Sequence, residues 1–120
     1  MERIDRELET TAAPGAVWAA VTDPAGLAEW LDADVELELR PGGPGRFRFA
    51  DGECRRAMVQ EVVPGEALTF SWWRIAGPEA VTDVGPATTV TITVEPLPAG
   101  GSRVRFREVT ALGARARAAA

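Results

Sequence analysis

The sequence predicts an α+β domain in which one curved antiparallel sheet packs on two short helices. Three observations carry that expectation. Helical punctuation and helical spacing are confined to the stretch from Pro14 to Leu31. Most of the chain beyond Leu31 alternates apolar and polar residues with the period of two of a half-buried strand, and turns rich in glycine and proline separate these runs.

Pro14 suits a first helical position, where its missing N–H costs nothing, and Asp23-Pro24 repeats the arrangement with a good N-cap residue ahead of the proline. Val17, Ala20 and Val21 fall at i, i+3 and i+4 of the first helix, and Leu27, Trp30 and Leu31 do so in the second. Isolated helices are marginal in water even at roughly 12–15 residues, so both segments need the sheet to hold them.

The strands can be placed in order. Before the helices, Ile4, Arg6, Leu8 and Thr10 alternate with Asp5, Glu7 and Glu9, a half-buried first strand over Ile4 to Thr11. After them, Val35, Leu37 and Leu39 alternate with charges, Pro41 to Gly45 reverses the chain, and Phe47 and Phe49 alternate with Arg46 and Arg48. Setting Leu37 opposite Phe47 and Val35 opposite Phe49 puts Glu38 against Arg46 and Glu36 against Arg48, so the apolar and charge patterns agree on one register.

Glu53 to Val63 reads as a strand with apolar residues at both parities, which calls for a bulge or for two covered faces. Leu68, Phe70 and Trp72 then form one strongly apolar face. Ala76 to Pro86 has no period and is expected to be a rim or lid loop. A last hairpin pairs Ile92 with Phe106 and Val94 with Val104.

A length of 120 residues fits a single domain spanning 1–120 with one core, and an apolar fraction of 46% beside a charged fraction of 26% is ordinary for a globular chain. A net charge of −5 argues against nucleic acid and against anionic membrane surfaces as partners. One cysteine cannot form an internal disulfide, the N-terminus is charged where a signal peptide is apolar, and no apolar run approaches the roughly 18 residues of a membrane span, so a cytoplasmic protein is expected.

Catalytic constellations are scarce. The absence of histidine removes Ser/His/Asp and Cys/His sets and histidine metal sites, and a single cysteine leaves no zinc spacing, so no metal and no cofactor are implied. Gly42-Gly43-Pro44-Gly45 lies between two strands, whereas a phosphate cradle opens a helix. Cys54 in a strand reads as a small packing residue. Asp51, Glu53 and Glu61 read as solvated or arginine-paired carboxylates unless one faces a dry cavity. Trp18 reads as packing, while Trp30 and Trp72 read equally as core or as pocket wall.

Five phrases together resemble a known family: Ala13 to Pro24, Leu27 to Leu31, Arg40 to Phe49, Val62 to Trp72 and Thr89 to Glu95. They are similar to the bacterial homologues of the activator of heat shock protein 90 ATPase (AHSA1-like), within the START-like (SRPBCC, Bet v-like) superfamily. The resemblance covers the chain up to about Thr110. It implies the helix-grip fold, a curved antiparallel sheet gripping a long C-terminal helix over an apolar cavity. The tail after Thr110 offers Leu112 as its one large apolar residue, so the long helix is expected to be truncated. A second copy, a rearranged helix pair or a ligand is then expected to cover the open sheet face.

The leading functional reading is a small-ligand-binding module holding an apolar or aromatic molecule. Its expected walls are Trp30, Phe47, Phe49, Met58, Phe70 and Trp72, with one arginine anchoring a polar end. The resemblance also implies a chaperone partner and a place in the stress response, as an activator of a heat shock ATPase. A third reading is a polyketide cyclase-like enzyme, for which the chain shows no recognisable catalytic set.

Overall fold

The computed structural model describes residues 2–77, 79 and 85–110. They run in the order β1 (Glu2–Thr10), α1 (Pro14–Thr22), α2 (Pro24–Leu31), β2 (Ala33–Leu37), β3 (Pro44–Phe49), β4 (Cys54–Val63), β5 (Ala67–Ile75), β6 (Thr88–Pro96) and β7 (Ser102–Thr110). All seven strands form one antiparallel sheet in the spatial order β1-β7-β6-β5-β4-β3-β2. Strands β2 to β7 are a meander of successive hairpins, and β1 returns beside the last of them.

Both helices begin at the expected prolines. Asp23 stands at the N-cap position of α2, yet its carboxylate makes no capping hydrogen bond; what it supplies is the extended backbone that separates the two helices. Its N–H instead closes α1 on the Ala19 carbonyl at 3.0 Å. The helices then meet so closely at Gly26 that a Cβ there would overlap the Ala20 carbonyl oxygen. This crossing corrects the expected stripes: Ala20 and Trp30 turn to the surface, and Val17, Val21 and Leu27 remain buried against the sheet.

The β2–β3 hairpin keeps the expected face and shifts its partners by two residues. Val35 pairs with Phe47, Ala33 with Phe49, Glu36 with Arg46 and Asp34 with Arg48. Leu37 pairs with Gly45, where a Cβ would meet Leu37 Cδ1 at 2.6 Å, so the leucine packs over the missing side chain and the turn widens to take in Glu38 and Leu39. A two-residue slip leaves each side chain on its own side of the sheet, so the face pattern could not reveal it.

In β4 the ambiguity resolves as a bulge between Val59 and Glu61, with Gln60 as the extra residue. Leu68, Phe70, Val90 and Ile92 are fully or almost fully buried, and the expected pairs Ile92–Phe106 and Val94–Val104 are present. With Val17, Val21 and Leu27 they form one core between the inner face of the sheet and the helices.

Strand β1 departs from expectation. From Arg3 to Glu9 its side chains are exposed on both faces, Leu8 at 56% and Ile4 at 44%, because α1 packs over β6 and β7 and leaves the inner face of β1 uncovered by either helix. On the outer face an ion-pair ladder docks it: Arg107 to Asp5 at 2.9 Å, Arg103 to Glu7 at 2.7 Å and to Glu9 at 3.0 Å. The bond from Arg107 holds the Asp5 carboxyl below its ordinary pKa. The alanine-rich tail, with its expected helix truncation, and most of the loop expected as a rim or lid lie outside the described residues. No described helix is long and apolar enough to cross a membrane.

Candidate functional site

Period-two alternation in β3, β4 and β5 brings Phe47, Phe49, Arg55, Phe70 and Trp72 onto one patch of the inner face. Four rings interlock there. Phe47 stacks on Phe70 with centroids 5.9 Å apart, and Trp72 meets Phe47, Phe70 and Phe49 edge-on at 5.2, 5.4 and 6.1 Å. These are separations at which aromatic pairs add roughly 0.5–1.5 kcal/mol beyond their buried area.

Arg55 lies across this cluster, its guanidinium carbon 4.4 Å from the Trp72 ring centre and 5.4 Å from that of Phe49. Its Nε–H donates to Glu53 Oε2 at 2.6 Å, and its Nη1 stands 3.7 Å from Glu108 Oε2. That same glutamate oxygen accepts hydrogen bonds from Trp72 Nε1–H and Thr88 Oγ1–H, both at 2.6 Å. A carboxylate on the inner face of the sheet is thus tied to three other strands. Beside it, between α2 and strands β2–β4, is a cleft of about 540 Å³ whose walls include Ala25, Ala28, Val35, Phe47 and Arg55. This volume suits a small ligand, since such sites commonly enclose roughly 300–1,000 Å³.

The six expected wall residues do not form one site. Phe47, Phe49, Phe70 and Trp72 come together, and of these Phe47 lines the cleft while Phe70 is fully buried behind it. Trp30 is 40% exposed, sits edge-on to Phe106 at 6.0 Å, and lines a separate apolar trough of about 420 Å³ with Leu8, Val17, Val21 and Val104. Met58 is a correction. It pairs with Ser71 on the outer face and is 46% exposed, because the bulge at Gln60 leaves the inward parity of β4 to Arg55, Ala57 and Val59.

Sequence reasoning named no particular arginine and missed Glu108 and Thr88. The signal was present in the last hairpin: Glu108 continues the inward parity of Val104 and Phe106, and Thr88 that of Val90 and Ile92. The remaining candidates have the quiet roles expected of them. Glu53 pairs with Arg55 and, at 3.4 Å, with Arg74; Asp51 accepts the Glu53 N–H at 2.8 Å; Glu61 is exposed; and Cys54 is buried, its Sγ–H directed at the Gly52 carbonyl.

One antiparallel sheet curled over two helices inserted after its first strand, with its hollow on the inner face, defines a helix-grip α+β domain of the START-like type. Solved structures share this fold. Protein MLL2253 from Mesorhizobium loti superposes with a TM-score of 0.75 at 23% identity, over 98% of this chain and 82% of that one. The Aha1 dimer from Colwellia psychrerythraea superposes at 0.67 and 23% identity, over 92% of this chain and 78% of that one. DynU16, from the dynemicin biosynthetic locus, superposes at 0.76 and 23% identity, but the match spans 98% of this chain and 41% of DynU16. Identities at this level carry the fold alone. The chain belongs to the family of Activator of Hsp90 ATPase homolog 1-like proteins, whose sequence model matches residues 11–120. Among curated proteins none matches it significantly.

Proposed function

We propose that this domain binds a small apolar or aromatic molecule in the cleft between α2 and β2–β4, with Phe47 as its aromatic wall, Phe49 and Trp72 packed against that ring, and Arg55 at its polar end. The observation that supports this reading most directly is the stacked arginine at the edge of a cleft of about 540 Å³ backed by four interlocked rings. Apolar surface gives such a ligand its affinity, and the few polar groups fix its orientation. Phe70 contributes as the buried support of this wall.

The test fills the cleft from the helix side. Ala28→Phe places a ring in the cleft without disturbing a fully buried residue. It should abolish saturable binding of a neutral fluorescent aromatic probe such as N-phenyl-1-naphthylamine while the melting temperature stays within a few degrees. Unchanged probe binding in that variant would refute the assignment of the cleft.

Family membership favours a second reading, stimulation of a heat shock ATPase by direct contact. The apolar trough between α1, α2 and β7, with Leu8 and Trp30 exposed beside it, is the surface we assign to a protein partner, including a second copy of this chain. Purified chaperone from the same host should show raised ATP turnover when the domain is added, and Trp30→Glu should suppress that rise. No stimulation by the intact domain would dispose of this reading.

A further inference from the structure

The polar end of the cleft is more selective than a lone arginine at the rim of an apolar hollow. Three constraints fix the guanidinium of Arg55: the 2.6 Å bond to Glu53, the Glu108 carboxylate 3.7 Å from Nη1, and the Trp72 ring 4.4 Å beneath it. Glu108 is itself held by Trp72 and Thr88. The guanidinium carries five N–H groups, its hydrogen bond to Glu53 uses the Nε–H alone, and Arg55 lines the cleft. A positioned guanidinium therefore borders the hollow, and its positive charge is already answered by two carboxylates. Arg74 reaches Glu53 as well, but its side chain is 59% exposed and its charge is screened by water. Asp34, Glu36, Arg46 and Arg48, the other charged residues around the cleft, are exposed and balance in sign.

We propose that Arg55 makes the cleft selective for neutral planar ligands bearing a hydrogen-bond acceptor, such as an aromatic ketone, over carboxylates of the same shape. The inference rests on the reading of the cleft as a ligand site. A carbonyl oxygen can accept an N–H of this guanidinium while its ring lies against Phe47, and no new charge is buried. A carboxylate in the same place meets Glu53 and Glu108 at short range, and each like charge there weakens it. Glu53 and Glu108 act as positioning residues: they orient the donor and set the charge the ligand meets.

Three tricyclic probes of one shape separate the contributions: fluorene, 9-fluorenone and fluorene-9-carboxylate, titrated against the intact protein by calorimetry. Fluorenone should bind about tenfold tighter than fluorene, and the carboxylate at least about tenfold weaker than fluorenone. Glu108→Gln keeps an acceptor for Trp72 and Thr88 but removes one charge, so the ketone-over-carboxylate ratio should shrink by about tenfold. Arg55→Met, which keeps an unbranched stem and removes every guanidinium N–H, should erase the ketone's advantage over fluorene, whereas a merely structural Arg55 would weaken all three probes alike. Should Glu108→Gln not fold, Glu53→Gln reads the same ratio. Equal affinity for fluorene and fluorenone, or a ratio unmoved by either charge removal, overturns the selectivity with the cleft intact. Failure of all three probes to bind overturns the ligand site itself and this inference with it.

Discussion

Replacing Glu108 by alanine should cost more stability than its place near the end of the last strand would indicate. The residue is 14% exposed at its side chain, and one of its oxygens holds both the Trp72 indole N–H and the Thr88 hydroxyl at 2.6 Å. Trp72 is 4% exposed, so on truncation its N–H finds no water and keeps the penalty of an unpaired buried donor, about 1–3 kcal/mol. Thr88, partly exposed, can turn to solvent and loses about 0.5–1 kcal/mol. The Arg55 contact, longer and reached by solvent, adds less than about 1 kcal/mol. A loss of roughly 2–4 kcal/mol is a large share of the 5–15 kcal/mol typical of a domain, and for this size it lowers the melting temperature by roughly 8–16 °C. Glu108→Gln, which keeps one carbonyl acceptor, should lose only about 1 kcal/mol. Urea titration followed by tryptophan fluorescence and by far-ultraviolet circular dichroism gives both values. If the alanine variant loses less than about 1 kcal/mol, or if alanine and glutamine cost the same, Glu108 is a surface carboxylate and the anchoring of the aromatic wall is wrong.

Three further outcomes are expected. Gly26→Ala forces its Cβ into the Ala20 carbonyl, where the backbones leave no room, so the helix pair must part; thermal unfolding should show a loss of about 2 kcal/mol or more although alanine is the better helix former. Phe70→Ala should cost about 3–5 kcal/mol and Met58→Ala less than about 0.5 kcal/mol by denaturant titration, and the reverse order would mean that β4 and β5 are misfaced. The Asp5 carboxyl is held below its ordinary value of 3.8 by the bond from Arg107, so its contribution is complete above that value and is lost as pH falls through the lower folded one. Protection factors at β1 amides, taken relative to the intrinsic exchange rate at each pH, should therefore fall in strongly acidic solution, and Asp5→Asn should weaken that dependence.

Where periodicity carried the information, the sequence was readable. The face of Leu68, Phe70 and Trp72, the pairing of Ile92 with Phe106, and the proline starts of both helices all arise from short-range pattern. What escaped was set by tertiary contact. The β2–β3 register is decided by Leu37 filling the gap over Gly45, which no alternation records. Ala20 and Trp30 leave their expected stripes because two helices cross at a glycine. Met58 faces outward and Arg55 inward because parity in β4 depends on where its bulge falls. The recognition element of the candidate site joins residues from β4, β5, β6 and β7 with Glu53 just ahead of β4, so no single stretch of sequence could show it.

Placing the first strand beside the last has a consequence for synthesis. Asp5 and Arg107, bonded across β1 and β7, are 102 residues apart, whereas every other strand pairs with one adjacent to it in sequence. At roughly 5–20 residues per second, β1 spends about 5–20 s outside the ribosome before its partner exists. A sticky strand would have found a neighbouring nascent chain in that interval. The exposed charges at Arg3, Asp5, Arg6, Glu7 and Glu9 oppose such pairing until β7 has emerged.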